Sequence, residues 1–386
     1  MLFTDARFAA IVVAAWMTFV AVPRGWRVGA LAFWGVVFYA LYAPNAAPVM
    51  AALIVVVYFL SARHWIAAVG IAAGVLAAYK LVAGPEALIA SGSSTRSVLI
   101  PLGLSFLTFE LIHYCIERRR GVIAHAAFLD YLAFALYFPC RVAGPIKRYP
   151  DFTSAVASAE PSLATVYAGL LRVLVGVVKK VVLADTLGLT VAELATAGDV
   201  TPAHALRILL AYSFQIALDF SAYSDIAIGI SQMFGIALPE NFRRPYLSES
   251  IQDFWTRWHI SLSSWVRDYV FLPFGRAAFA TRLRGHPLTI AVLAYLVAFV
   301  IVGAWHGLSP NFVLWGVYHG VLLALHQAYR RTVAARLAAY PFFSSSVARA
   351  VSVVATFAFV TVGWVFFVTA TPAAAARLLG RLVSVG

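Results

Sequence analysis

The 386 residues are 62% apolar and only 12% charged, against roughly 45–50% and roughly 25% in a soluble globular domain. With a mean hydropathy of +0.87, this excludes a soluble enzyme, a disordered regulator and a secreted disulfide scaffold, because too little charge is available to cover the apolar surface. The net charge of +13 does not point to nucleic acid, since the basic residues sit in short loops between apolar runs, where positive-inside topology places them.

The apolar runs fall at 8–22, 29–43, 48–61, 65–82, 98–116, 126–146, 164–183, 204–220, 288–304, 311–325 and 347–368. At about 20 residues per helical span, they predict an all-α polytopic membrane protein with about ten or eleven transmembrane or re-entrant helices. The first run lacks a small-residue cleavage site and is followed by the basic turn Pro23-Arg24-Gly25-Trp26-Arg27, so it reads as a span rather than a signal peptide. Arg24 and Arg27, then Arg63, then Arg118-Arg119-Arg120 charge the odd-numbered loops. The loop at 44–47 has no charge, and the Gly/Ser-rich loop around Ser91–Ser94 balances Glu86 with Arg96. Odd loops are therefore expected in the cytoplasm and the N-terminus outside. No repeat is evident, and residues 1–386 read as one membrane domain. Cys115 and Cys140 lie in apolar surroundings without a CxxC or ligand spacing, as free buried thiols do.

Polarity concentrates between about residues 213 and 320. Asp219, Asp225, Glu240, Glu249, Asp253 and Asp268 all fall there. Asp219 and Asp225, with Tyr223 between them, interrupt an apolar stretch, and an ionisable group inside a membrane helix costs about 2.5–3.5 kcal/mol unless it lines a cavity or has a partner. Two readings stay open: the wall of a polar pocket, or an anchor to Arg243, Arg244 or free helix ends. The loop 239–246 is held by two prolines. After it Trp255, Trp258, Leu262, Trp265 and Tyr269 recur at three- and four-residue spacing, predicting one amphipathic helix with an indole-rich face for the membrane interface. Arg257, Ser261, Ser264 and Asp268 form its other face, and His259 lies between the two, as a hydrogen-bonded interfacial residue or a site residue. His306, in Gly303-Ala304-Trp305-His306-Gly307, ends a span with no Asp, Glu, Lys or Arg. Burial would keep it neutral, with a lone pair available to a proton, and the flanking glycines permit close approach of a backbone or substrate. A histidine bonded to a neighbouring helix is the alternative. His319 and His326, seven apart, read as packing on one face.

These residues resemble a known family. The stretch Phe254-Trp255-Thr256-Arg257-Trp258-His259-Ile260-Ser261-Leu262-Ser263, then Trp305-His306-Gly307 and Phe312-Val313-Leu314-Trp315-Gly316, are similar to the signature of membrane-bound O-acyltransferases. Upstream, Phe138-Pro139, the stretch from Ala143 to Tyr149, the stretch from Asp219 to Asp225, and Pro239-Glu240-Asn241-Phe242 also match. The likeness covers roughly residues 98–330, with 1–97 and 331–386 as flanking hydrophobic spans. The resemblance implies helices around a central tunnel, with His306 catalytic at its constriction and His259 as the second histidine on its wall. It places Trp305, Asn311, Asp219, Tyr223, Asp225, Asp253, Arg257 and Trp258 among the tunnel or substrate residues, and calls for no metal and no bound cofactor. An acyl thioester, acetyl-CoA or a loaded acyl-carrier protein, would be the cytoplasmic donor. A hydroxyl acceptor would approach from the other side, with Trp305, Asn311 or a backbone N–H stabilising the oxyanion. Two branches fit: the polysaccharide O-acetyltransferase subunits of the inner membrane, which work with a periplasmic acyltransferase partner or polymer acceptor, and the D-alanyl transfer protein of teichoic acid modification. Residues 267–275 are nearer the first. A transporter or flippase would instead predict repeats and ionisable pairs in both halves.

Overall fold

The computed structural model describes residues 5–83, 101–196, 201–337 and 340–383. The loop containing Glu86, Ser91–Ser94 and Arg96 lies outside the described residues. Those described are mostly helical and form no strand. They fall into two compact units: one comprises 5–83, 101–180 and Phe220–Glu240, and the other Val181–Asp219 together with the residues from Asn241 onward.

The first unit contains α1 (Ala6–Ala21), α2 (Arg27–Tyr42), α3 (Ala47–Leu60), α4 (Trp65–Ala83), α5 (Leu104–Arg119), α6 (Phe128–Leu136), α7 (Tyr149–Ala157) and α8 (Leu163–Val178). The sequence sets several of their ends. Asp5 accepts from the Arg7 amide at the start of α1. Ser162 and Thr165 make a reciprocal capping box at α8, and prolines open α3 and α7. The run at 126–146 is not one span: α6 stops at Leu136, and a short 3-10 turn, Phe138–Cys140, follows. Cys115 and Cys140 are free and buried, as expected.

The second unit holds α9 (Asp185–Thr196) and the opening of α10 (Pro202–Met233), whose later turns belong to the first unit. It continues with α11 (Ile251–Arg257), α12 (Ile260–Val266), α13 (Leu272–Phe279), α14 (Pro287–His306), α15 (Pro310–Thr332), α16 (Ala334–Leu337), α17 (Ser346–Val368) and α18 (Pro372–Val383). Helices α14 and α15 form a tight hairpin. A methyl added at Gly303 would overlap the Phe312 carbonyl, and one at Gly316 the Phe299 carbonyl, so only glycine allows the two backbones to approach this closely. That crossing fixes the C-terminal turn of α14, where His306 stands.

Among the described residues, four helices are long and apolar enough to cross a membrane: Trp65–Val82, Pro202–Met233, Pro287–His306 and Ser346–Val368. Ala6–Ala21, Ala47–Leu60 and Phe128–Cys140 are shorter apolar segments. The chain is a multi-pass membrane protein. One expectation fails in detail. The single amphipathic helix predicted through Trp255, Trp258, Leu262, Trp265 and Tyr269 is broken at His259, which takes a left-handed conformation (φ 44°, ψ 54°). Its indole face is not laid on lipid either: Trp255, Trp258, Leu262 and Trp265 are buried in the protein. The break has a tertiary cause. The loop residue Asn241 accepts the Ile260 amide on its carbonyl (2.9 Å) and the Ser261 amide on Oδ1 (3.2 Å), supplying the N-terminal acceptors that a preceding helical turn does not.

Candidate active site

His306 closes α14, and Gly307 follows in an extended conformation. The imidazole stands among rings, with centroids 4.5 Å from Trp305, 5.2 Å from Trp315 and 5.0 Å from Phe367. Phe312 stacks on it at 6.1 Å. It is half-buried, short of the burial on which the sequence argument for a neutral ring depends. The difference follows from its place in the last turn of the helix, and it leaves the ring reachable by a substrate.

His259 is fully enclosed, 2% exposed. Its Nδ1 lies 3.1 Å from Asn241 Oδ1. That same oxygen accepts the Ser261 amide and the Ser261 hydroxyl (2.9 Å), which identifies it as the amide oxygen. Facing an acceptor, Nδ1 must carry the proton, so Nε2 holds the lone pair of the neutral ring. Burial pushes the imidazole down to about 3, keeping it neutral near pH 7. The left-handed backbone at His259, shared among non-glycine described residues only with Arg244, costs on the order of 1–3 kcal/mol and is typical of positions set by function. The His259 ring is 6.5 Å from Trp305, which in turn is 4.5 Å from His306. One indole therefore stands between the two histidines.

The remaining expected residues divide. Trp258 is a core side chain against Phe242, Tyr246, Phe254 and Trp364. Asp253 and Arg257 pair with each other across one helical turn (2.8 Å), holding α11. Asn311 is withdrawn as an oxyanion donor: its amide nitrogen donates to the Thr369 carbonyl (2.6 Å) and faces the Thr369 hydroxyl (3.3 Å), tying α15 to the end of α17. Asp225, in the first unit, receives Arg172 (3.1 Å) and Lys179 (2.6 Å). The anchor reading holds for it, through these two cations rather than Arg243 or Arg244. Tyr223 stays in the first unit beside the backbone amides of Val142 and Ala143. Asp219 belongs to the second. Trp305, His259 and His306 are what the structure brings together.

Sequence reasoning passed over two contributors. The sequence offers Asn241 only as part of a loop motif, yet it orients His259. His319, read as packing, is completely buried and neither ring nitrogen has a hydrogen-bond partner among the described residues. It packs on Trp315 (4.8 Å) and Trp255 (5.3 Å), and Trp315 also touches His306. The seven-residue spacing to His326 masked it, because such spacing fits simple packing equally well. A cavity of about 250 Å³ adjoins this cluster, lined by Trp255, Phe299 and Val302 with Gln252, Ser263 and Arg267 at its polar edge.

The model of the membrane-bound O-acyltransferase family matches residues 54–369. The chain belongs to that family. Among its relatives, a probable alginate O-acetylase of Pseudomonas syringae pv. tomato is 36% identical over 292 residues, 75% of this chain and 53% of that protein. A peptidoglycan O-acetyltransferase of Helicobacter pylori is 31% identical over 322 residues, covering 75% and 58%. A teichoic acid D-alanyltransferase of Bacillus subtilis is 32% identical over 235 residues, 60% of each chain. The chain thus spans about half the length of the alginate acetylases it matches. All the histidines and tryptophans of the candidate site lie inside the stretch that matches the membrane-bound O-acyltransferase family.

Proposed function

We propose that the protein is an O-acyltransferase of the cytoplasmic membrane that moves an acyl group, acetyl first, from a cytoplasmic thioester to a hydroxyl of an extracellular polysaccharide. The observation that carries this is the pair of histidines on Trp305, one reachable and one kept neutral by burial and oriented by Asn241, in surroundings rich in rings. His306 takes the proton of the acceptor hydroxyl, and the oxygen attacks the thioester carbonyl. Collapse of the tetrahedral intermediate breaks the carbon–sulfur bond, and the imidazolium returns its proton to the leaving thiolate. With the Asn311 amide engaged elsewhere, the Trp305 indole N–H or a backbone N–H is the donor to the developing oxyanion. Acetyl-CoA or an acyl-carrier protein supplies the thioester. The polysaccharide reading is favoured over D-alanyl transfer by the longer match to the alginate acetylases, 75% of the chain against 60%.

The test is transfer of radiolabelled acetyl in proteoliposomes, normalised to folded protein. General-base catalysis is worth about 10²–10⁴-fold, so His306→Ala loses at least that order. His306→Gln, which keeps a hydrogen bond but is no base near neutral pH, fails nearly as badly. Activity of the Gln variant within about threefold of wild type would remove His306 from the chemistry. A D-alanyl carrier that served as donor where acetyl-CoA did not would move the protein to the other branch.

A further inference from the structure

A second cavity, of about 350 Å³, lies wholly in the first unit, far in sequence from either histidine. It is in the range of small-ligand sites, about 300–1,000 Å³. Its floor is apolar, made by Val28, Ala133, Phe152 and Val156, and its charged walls are Arg24, Arg27 and Asp130. The proposed acyl transfer uses none of them.

The charges are set out in an unusual way. Arg24 pairs with Glu160 at 2.7 Å, but both side chains are largely in solvent, 71% and 75% exposed. Such a pair is worth little and is readily exchanged. Arg27 donates one nitrogen to the Ala159 carbonyl (2.8 Å) and lies over the Phe19 ring. Its Nε is buried, while the residue lines the cavity. Asp130 faces the same space, yet it forms no ion pair or side-chain hydrogen bond with either arginine or any other described residue. A carboxylate and two guanidiniums that share a cavity without meeting leave room for a ligand carrying both signs. Trp26, between the two arginines and 74% exposed, marks the level. An exposed indole beside arginines in a multi-pass membrane protein belongs to the aromatic belt at the headgroups.

We propose that this cavity holds the headgroup of a zwitterionic, amine-bearing phospholipid of the phosphatidylethanolamine class. The phosphate sits on Arg24 and Arg27 and the ammonium on Asp130. Two arginines alone would suit any anionic lipid; Asp130 is what selects the amine, since a carboxylate repels a purely anionic head. The site stands independently of the acyltransferase reading.

The experiment uses the full chain in detergent and reads affinity from the shift in thermal unfolding on titration with short-chain phosphatidylethanolamine, phosphatidylglycerol and free phosphoethanolamine. Wild type should prefer the ethanolamine lipid to the glycerol lipid by about three- to fivefold, the contribution of a partly exposed ion pair. Asp130→Asn should bring that ratio close to one, by weakening the ethanolamine lipid and relieving the repulsion of the glycerol lipid. Arg24→Gln, which loses only an exposed pair and so leaves the fold intact, should weaken both lipids together. Equal affinities in wild type, or a preference that survives Asp130→Asn, overturns the proposal. Phosphoethanolamine matching the lipid in affinity overturns the lipid assignment in favour of a soluble zwitterion.

Discussion

In the first unit one group of buried side chains is charged and its members answer one another; in the second the buried polar side chains beside the Trp305–His306 motif, among them His259, Ser261 and Asn311, are uncharged. Glu110 receives Arg141 at 2.7 Å and Lys147 at 2.5 Å, with all three buried. The surplus cation is partly met by rings, since Lys147 Nζ lies 5.1 Å from the centre of Phe134 and 5.7 Å from those of Tyr137 and Phe152. Arg172 spans Asp225 and Glu240, and Lys179 completes that group. His259 is held by an amide and His306 by aromatic contacts. A buried charge in a membrane protein draws attention because it is costly, but once paired it serves as scaffold. A neutral base beside an indole is an arrangement suited to proton transfer.

That contrast can be broken first at Glu110. Glu110→Gln leaves Arg141 and Lys147 buried without their carboxylate and should destabilise the protein by about 3–5 kcal/mol, measured as chemical unfolding in detergent. A loss below about 1 kcal/mol would mean that the triad is not a scaffold. Asp225→Asn tests the same idea at a residue that the family resemblance places on the tunnel. It should lower stability by about 1–3 kcal/mol, the cost of an unsatisfied charged partner, while acyl transfer per folded molecule stays within about threefold of wild type. A large loss of turnover with unchanged stability would restore Asp225 to the reacting site.

His259 sharpens the other side of the comparison. His259→Ala should reduce transfer at least about tenfold, in the range of a group that positions or activates a substrate, with membrane insertion unaltered. It should also change the pH response. The folded-state value near 3 lies below the unfolded value near 6.5, so the unfolded chain binds the extra proton between them, and stability falls as pH drops through that window. The largest slope from one such group is about 1.4 kcal/mol per pH unit. The His259→Ala variant should therefore lose stability less steeply than wild type between pH 6.5 and 5. Superimposable slopes would show that His259 is not a buried neutral base.

Much of the site was legible because Trp305-His306-Gly307 and Trp258-His259 are local patterns in a chain poor in other ionisable groups. Asn311 misled because a polar residue beside a histidine motif looks like a donor until Thr369, 58 residues on, is seen to take its amide. Arg172 and Lys179 lie 53 and 46 residues from Asp225, so charge spacing along α10 could not reveal the partners. His319 was invisible as more than packing for the same reason: its burial and its unmatched nitrogens depend on α11, α14 and α17 closing around it.

Composition alone determined that this is a multi-pass helical membrane protein, since transfer of apolar surface from water is nearly additive along the chain. The approximate limits of most helices followed from the same runs and their prolines and caps. Tertiary structure decided the rest: the break at His259, imposed by Asn241 from another loop; the half-burial of His306, set by the glycine-mediated crossing of α14 and α15; and which carboxylates are paired. Those features depend on the distance between atoms remote in sequence, and electrostatic and hydrogen-bond energies change steeply over the few ångströms that only packing specifies.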